Sequence, residues 1–385
     1  MRLHVTRRAE GRARRREPPP IPPQCGGLVR RKNLARRTSG HPADLAGEPS
    51  AGLCGIRRQA GLRCRPRQAG ARAVKLAWVF PGQGSQVVGM GKAVADAYPA
   101  ARAVFAEADR ALGEPLSRLC FEGPIEELTL TRNTQPALVT ASAAILAALR
   151  ERLPALPAPV CAAGHSLGEY SALCAAGSLD LGDAVRLCRR RGEAMQGAVP
   201  EGLGAMGAVM GVDPTTLAAL CAEAAEGEIV SPANFNAPGQ VVIAGHAGAV
   251  ARAAELVKAR GGKLIPLKVS APFHCALMAP VREVMRRALA ETAVRAPAFP
   301  VIANVDAAPV ASPADVRDRL ERQVDSAVEW QRSVEHMRAE GVTHVLEIGP
   351  GKVLAGLVRR TAKELETLSL SEPADLEKVS QFIGA

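Results

Sequence analysis

The chain has 385 residues, of which 47% are hydrophobic, and its formal net charge is +11. Residues 1–73 hold 18 of the 49 Lys and Arg residues but only 4 of the 38 Asp and Glu residues, which leaves 31 basic and 34 acidic side chains in the other 312 residues. The body of the protein is thus mildly acidic, and no apolar run reaches the ~20 residues that span a bilayer. We therefore expect neither nucleic acid nor a membrane as a partner.

The first segment, residues 1–73, mixes Arg, Pro and Gly without a helical or strand period, as in GRARRREPPPIPP. We expect a disordered basic extension. Three interpretations stay open. The segment is an arm that touches anionic surfaces, an organellar transit peptide, or sequence upstream of the true start codon that is no natural part of the protein. We favour the third, since the first predicted strand begins at Val74 and a valine codon can start translation in bacteria.

The body alternates strands and helices. The predicted elements are, in chain order, a strand at 74–80, a loop at 81–86, helices at about 89–112 and 133–153, a strand at 158–164, helices at about 167–177 and 180–198, a strand at 300–305, helices near 312–324 and 329–340, and a strand at 343–349. Such alternation predicts an α/β fold with a mostly parallel sheet covered on both faces.

The segment 204–270 departs from this rhythm. Its residues predict the order β-α-β-β-α-β, which is the ferredoxin-like pattern. We therefore expect a large α/β domain made of residues 74–203 and 271–385, with a ferredoxin-like small domain inserted at 204–270.

The nine cysteines are scattered, with six in the body and three before residue 74. None forms a CxxC pair or a Cys/His cluster with metal-ligand spacing, so we expect no metal site. Most of them lie in apolar surroundings, which indicates small buried thiols and a reducing, cytoplasmic location.

A candidate nucleophile follows the strand at 158–164, in the sequence GHSLG. The pattern G-x-S-x-G between a strand and a helix predicts a sharp turn that exposes the Ser166 hydroxyl. Gly164 and Gly168 keep side chains out of that turn, and the N–H of Leu167 becomes a donor for an oxyanion. The alternative is a structural turn with an unreactive serine.

A serine needs a base to remove its proton. The histidines of the body are His165, His246, His274, His336 and His344. We favour His274 because its segment, VSAPFHCALM, follows the return from the small domain to the large one and should face the cleft between them. A substrate carboxylate needs a cation, and three consecutive arginines, 189–191, cannot share one face of the predicted helix. We expect Arg191 to turn inward as a carboxylate clamp.

Six motifs occur in order: FPGQGSQ (80–86), GHSLGEYSAL (164–173), RRGEAMQ (190–196), NFNAPGQVVIAG (234–245), APFHC (271–275) and EIGPGKVL (347–354). Together they resemble the malonyl-CoA:acyl carrier protein transacylases of bacterial fatty acid synthesis, over residues 74–385. The resemblance implies a hydrolase-like large domain with an inserted ferredoxin-like domain. It also implies malonyl-CoA and acyl carrier protein as substrate and partner, no bound cofactor and a monomer.

The resemblance implies site roles as well. Ser166 would become malonylated, His274 would be its base, and Arg191 would hold the malonyl carboxylate. The N–H groups of Gln83 and Leu167 would form the oxyanion hole.

Four further positions follow by motif position. The backbone carbonyl of Glu329 would orient His274, and its carboxylate departs from the Gln of relatives. Phe273, beside the base, favours malonyl over methylmalonyl, because an aromatic there crowds an α-methyl group. Asn234 and Asn236 are candidate polar residues of the cleft, and a structural role for them is the alternative.

Three alternatives stay open: an acyltransferase of polyketide or specialised synthesis, a thioesterase that uses His336 or His344, and a non-catalytic binding protein that acts through its basic extension.

Overall fold

The structure, a computed structural model, describes residues 74–269 and 271–384. The extension predicted at 1–73 lies outside the described residues. The strands are, in chain order, β1 (Leu76–Phe80), β2 (Cys161–Gly164), β3 (Gly204–Met210), β4 (Val230–Ala237), β5 (Gln240–His246), β6 (Lys263–Pro266), β7 (Val301–Ile302), β8 (Pro309–Val310), β9 (His344–Ile348) and β10 (Glu366–Leu370).

The α-helices are, in chain order, α1 (Lys92–Ala97), α2 (Pro99–Leu112), α3 (Leu116–Glu122), α4 (Ile125–Thr129), α5 (Thr131–Arg152), α6 (Gly168–Ala175), α7 (Leu181–Gly197), α8 (Pro214–Ala225), α9 (Ala247–Ala259), α10 (Ala279–Glu291), α11 (Pro313–Gln323), α12 (Trp330–Ala339), α13 (Val353–Thr361), α14 (Pro373–Leu376) and α15 (Val379–Ile383). Within the described ranges, no helix has the length and apolar character required to cross a membrane.

The large sheet has six strands in the order β10-β9-β1-β2-β7-β8. Every neighbouring pair is parallel except β7 and β8. Side chains of the central strand β1 alternate between two buried cores: Leu76, Trp78 and Phe80 face one, and Ala77 and Val79 face the other. A core on each face explains why β1 reads as a continuous apolar run, and it confirms the predicted α/β class.

The predicted helix at 89–112 is two helices, α1 and α2. Tyr98 separates them in an extended conformation, with φ −125° and ψ 118°. The next residue is Pro99, which lacks an N–H and disfavours the helical conformation at the residue before it.

The small sheet has four strands in the order β4-β5-β3-β6, and all of its neighbouring pairs are antiparallel. Together with α8 and α9 this is the ferredoxin-like arrangement that the sequence predicts. Apolar side chains of the strands and of both helices form a separate core, which includes Leu217, Ile243 and Val257. The limits 204–270 stay a prediction.

Main-chain hydrogen bonds join the small sheet to the large domain. Phe235 N donates to Val328 O at 2.9 Å, and Val328 N donates to Ala233 O at 2.9 Å. Strand β4 therefore continues its pairing onto the segment before α12, and one side of the cleft between the sheets is fixed by backbone atoms.

Candidate active site

Ser166 lies in a tight turn between β2 and α6, at the carboxyl edge of the parallel sheet. Its φ of 52° is in the left-handed region, which is uncommon and strained for a residue other than glycine. A Cβ on Gly164 would lie 1.9 Å from the backbone of Gly168, and one on Gly168 would lie 2.2 Å from Phe80 O. Glycine is therefore required on both sides of the serine.

Asn304, just after β7, holds this turn from outside. Its Oδ1 accepts a hydrogen bond from Ser166 N at 2.7 Å, and its Nδ2 donates to Gly164 O at 2.7 Å. The side chain is fully buried. Asn304 was not among the residues predicted from the sequence, although an asparagine at the end of a buried strand is a usable signal.

Ser166 Oγ lies 2.7 Å from His274 Nε2. His274 Nδ1 lies 2.9 Å from the backbone carbonyl of Gln323. A carbonyl only accepts, so Nδ1 carries the proton and Nε2 is free to take one from the serine. Burial, together with the positive charge of Arg191, lowers the pKa of His274 to about 3, so the imidazole is neutral at ordinary pH.

The prediction that the carbonyl of Glu329 orients the base is wrong. Gln323 is the last residue of α11, and the final carbonyls of a helix have no partner within it, so this one is free for His274. The Glu329 carbonyl instead accepts hydrogen bonds from Ser333 N at 2.9 Å and Ser333 Oγ at 3.0 Å in the first turn of α12. Its carboxylate lies 3.7 Å from Arg332.

Arg191 points inward from α7 and is 1% exposed. Its guanidinium donates to Gln135 Oε1 and Gln323 Oε1, both at 2.8 Å, and to Ser166 Oγ at 3.1 Å. The ring of Tyr170 lies beneath it, 5.8 Å from the guanidinium carbon. Across the described residues, no carboxylate lies within 4.0 Å of this buried cation. The arrangement is suited to an incoming anion.

The other two arginines of the run bond to residues outside the site. Arg190 is exposed and pairs with Glu291 at 3.1 Å. Arg189 is largely buried and bonds to Asn133 and Glu114.

The predicted oxyanion donors flank the serine. Leu167 follows it, and Gln83 lies in the loop after β1, where a Cβ on Gly82 would be 2.6 Å from His165 O. In the part of the chain that the structure describes, no acceptor bonds to the backbone N–H of either Gln83 or Leu167. Both groups are therefore available to a substrate oxygen.

These groups meet in a cleft of about 150 Å³ between the two sheets. Its lining combines the predicted side chains with residues from the small domain: Gln83, Gly84, Gln86, Thr129, Gln135, His165, Ser166, Arg191, Met195, Met206, Asn234, Leu267, Lys268, Val269, Phe273 and His274. Phe273 is 8% exposed and stands beside the base. Asn236 lies next to the cleft, where its Oδ1 is 2.8 Å from His165 Nε2.

The remaining histidines do not serve Ser166. His246 is half-buried and accepts a hydrogen bond from Ile229 N at 2.9 Å. His344 lies 2.9 Å from Thr343 Oγ1 and packs against the ring of Phe382. His336 lies within α12. The thioesterase alternative needs His336 or His344 at the serine, and neither is there.

Comparison with known proteins places this site in a family. A family model for the acyl transferase domain matches residues 77–380. The malonyl CoA-acyl carrier protein transacylase of Escherichia coli K12 is 51% identical over 301 residues, which are 78% of this chain and 97% of that protein. The protein of the same name from Bacillus subtilis strain 168 is 47% identical over 311 residues, 80% of this chain and 97% of the relative.

Solved structures agree. An acyl carrier protein S-malonyltransferase from Vibrio cholerae matches with a TM-score of 0.77 and 49% identity, over 79% of this chain and 99% of that one. A malonyl-transacylase solved in complex with its type II PKS acyl-carrier protein matches with a TM-score of 0.78 and 45% identity, over 81% of this chain and 100% of that one. The chain therefore belongs to the acyl transferase domain family, among the malonyl CoA-acyl carrier protein transacylases.

Proposed function

We propose that this chain transfers the malonyl group of malonyl-CoA to the phosphopantetheine thiol of acyl carrier protein, through a malonyl ester on Ser166, and so supplies fatty acid synthesis. The position and burial of Arg191 support this proposal most strongly. Arg191 is a buried cation without a carboxylate partner among the described residues, 3.1 Å from the serine oxygen. A malonyl group differs from an acetyl group by the carboxylate that such a cation binds.

In the first half of the reaction, Ser166 Oγ attacks the thioester carbonyl while His274 Nε2 takes its proton. The oxygen of the tetrahedral intermediate accepts from the N–H groups of Gln83 and Leu167. When the carbon–sulfur bond breaks, His274 returns the proton to the departing CoA sulfur.

In the second half, the thiol of the carrier gives its proton to His274 and attacks the malonyl ester. The carbon–oxygen bond to Ser166 breaks, and the serine oxygen recovers the proton from His274. The malonyl ester must not be hydrolysed between the two halves of the reaction. Phe273 and residues of the small domain line the cleft over Ser166 and limit the access of water.

The neutral imidazole supports this order of events. Arg191 donates a hydrogen bond to Ser166 Oγ and also lowers the pKa of His274. The same charge stabilises the serine oxygen as it loses its proton, which favours formation of the nucleophile and offsets the cost of protonating an imidazole beside a cation.

The acyl carrier protein of a type II polyketide synthase is a second candidate partner. It is supported by one relative, the malonyl-transacylase solved with a type II PKS acyl-carrier protein. Equal amounts of a fatty acid synthesis carrier and a type II PKS carrier, offered together to the malonyl-enzyme, distinguish the two. We expect the fatty acid carrier to be loaded faster, and preferential loading of the other would assign the chain to polyketide synthesis. A monomeric state and a cytoplasmic location stay predictions.

The central test is to incubate the purified chain with malonyl-CoA and to locate the adduct by mass spectrometry of its peptides. We expect one malonyl group on Ser166 and none in the Ser166→Ala variant. The adduct should disappear when carrier protein with its phosphopantetheine thiol is added, and malonyl-carrier should appear. Labelling that persists in Ser166→Ala refutes the assignment.

A further inference from the structure

Glu169 is a buried acid that the proposed mechanism does not use. It lies three residues after Ser166 in the first turn of α6 and is 1% exposed. Among the described residues, no Lys, Arg or His nitrogen lies within 4.0 Å of its carboxylate. An ionised carboxylate without an ion pair is costly to bury, so its contacts should explain its presence.

Both hydrogen-bond partners of the carboxylate also hold the backbone of Ser166. Glu169 Oε2 accepts from Gln323 Nε2 at 2.8 Å and from Asn304 N at 3.0 Å. Gln323 Nε2 also donates to Ser166 O at 2.9 Å, and the Asn304 side chain accepts from Ser166 N at 2.7 Å. One carboxylate oxygen therefore anchors the two residues that hold the serine backbone from either side.

The same contact determines the orientation of the Gln323 amide. A side-chain amide can bind either way round, but a carboxylate only accepts, so Nε2 must face Glu169. This leaves Oε1 to accept from Arg191 at 2.8 Å. With the amide reversed, Gln323 would present an NH₂ group to the guanidinium, and donors would face donors. Glu169 thus keeps the Gln323 side-chain oxygen directed at Arg191 without forming an ion pair with that arginine.

We propose that Glu169 is a positioning residue for acyl transfer, whose ionised carboxylate fixes the Gln323 amide and the Asn304 peptide so that Ser166 and Arg191 are held in their reactive arrangement. This inference rests on the proposed function, because it assigns Glu169 to the same site.

The state of the carboxylate depends on pH. Burial raises the pKa of Glu169 to about 7, against the opposing hydrogen bonds from Gln323 and Asn304. Arg191 on α7 lowers this pKa, and Asp306, which follows β7 and pairs with Arg319 at 3.0 Å, raises it. His274 is neutral above about pH 3, and burial lowers the pKa of His165 and raises that of Tyr170. Of these groups, Glu169 is the one that changes charge near pH 7.

The experiment measures the rate of malonyl-Ser166 formation by quenched-flow mass spectrometry between pH 6 and pH 8.5. It compares the unchanged chain, Glu169→Gln, and Glu193→Gln as the matched control, since Glu193 is an exposed glutamate on α7. At pH 8 we expect Glu169→Gln to be slower by about tenfold. The unchanged chain should lose about tenfold between pH 8 and pH 6, whereas Glu169→Gln should change by less than about twofold. Glu193→Gln should follow the unchanged chain.

Thermal unfolding of each variant separates positioning from folding. A slower Glu169→Gln with an unchanged unfolding midpoint and a flat pH profile supports the proposal. A rate equal to that of the unchanged chain at every pH overturns it, while malonyl-Ser166 itself still forms and the proposed function stands. If Glu169→Gln does not fold, the pH profile of the unchanged chain is the test. A rate of malonyl-Ser166 formation that is independent of pH from 6 to 8.5 overturns the proposal, and a rate that falls below pH 7 supports it. If even the unchanged chain forms no malonyl-serine, the proposed function fails instead.

Discussion

His274 and Gln323 are joined by a 2.9 Å hydrogen bond in which the imidazole Nδ1–H donates to a backbone carbonyl. The partner is neutral, so no negative charge compensates a protonated ring, and the neighbouring Arg191 opposes protonation further. The base of this site is therefore held neutral by its surroundings, and it takes up a proton only from the serine or the thiol during the reaction.

This neutral histidine makes the stability of the protein depend on pH. Its pKa falls from 6.5 to about 3 on folding. Between these values the unfolded chain binds a proton at this residue that the folded chain does not, so the contribution of His274 to the free energy of unfolding decreases as the pH falls below about 6.5. From pH 7 to pH 5 we expect this group to remove about 2 kcal/mol. Glu169, whose pKa is raised to about 7, acts in the opposite direction over this range but is present in both chains. Urea unfolding should therefore show that, from pH 7 to pH 5, the unchanged chain loses about 2 kcal/mol relative to His274→Gln. An equal change in the two chains would contradict the prediction.

Replacing Arg191 by alanine should abolish the preference for malonyl over acetyl groups. The change removes two or more charge-assisted hydrogen bonds to the malonyl carboxylate, each worth about 1.5–3 kcal/mol, whereas acetyl-CoA has no carboxylate to lose. We expect the ratio of kcat/KM for malonyl-CoA to that for acetyl-CoA to fall by at least about 30-fold. Arg190→Ala, which removes an exposed arginine of the same helix, is the control. Equal losses for both substrates would exclude the clamp.

Gly168→Ala should disrupt the turn that carries the nucleophile. The new Cβ would lie 2.2 Å from Phe80 O and 2.8 Å from Pro81 O, both of which are backbone atoms that cannot move aside cheaply. We expect a loss of about 3 kcal/mol in the free energy of unfolding and loss of malonyl-enzyme formation. The control is Gly356→Ala in α13, where nothing lies within 4 Å of the new Cβ. Helix propensity should make that variant more stable by up to about 1 kcal/mol.

Replacing Phe273 by alanine should relax selection against a branched acyl group. The ring lines the cleft next to the base, and we expect it to restrict the space around the α-carbon of a bound acyl group. We expect the rate with methylmalonyl-CoA relative to malonyl-CoA to rise by about tenfold, as for one methyl group accommodated in a pocket. Competition between the two thioesters measures this ratio, and an unchanged ratio would show that other residues select the substrate.

Removal of residues 1–73 should leave folding and malonyl transfer intact. The site residues all lie after this segment, and the acyl transferase family model begins at residue 77. Circular dichroism, thermal unfolding and malonyl transfer should agree between the full chain and the shortened one. An inactive shortened chain would assign the basic extension a role in the reaction.

The sequence was sufficient for the parts of the site that act through their own side chains within motifs. Ser166, His274 and Arg191 lie together as expected, and the β-α-β-β-α-β order predicted the small sheet. Gln323 was missed because it orients His274 through a backbone carbonyl, which leaves no signal in the residue type. Asn304 stands at the end of a predicted strand, but its contact with Ser166 joins segments that are far apart in the chain, and only the packed fold shows it.

Three further features of the structure differ from the sequence predictions: strand β10, the length of strand β7 and the carbonyl that orients the base. Strand β10 was not predicted because its five residues at the edge of the sheet alternate only weakly between buried and exposed positions. Strand β7 is only two residues long because residues 303–308 turn the chain back into β8, and this turn places Asn304 at the serine. Glu329 was selected by its place in a motif, whereas the free carbonyl belongs to the last turn of α11.

The joint between β4 and Val328 has a consequence for protein engineering. Its two hydrogen bonds use backbone atoms alone, so they do not depend on which side chains surround them. An inserted small domain taken from another acyltransferase could therefore form the same joint, provided that it keeps an asparagine equivalent to Asn236 for His165. Chimaeras built on this rule would exchange one wall of the cleft while leaving the nucleophile, its base and the arginine unchanged.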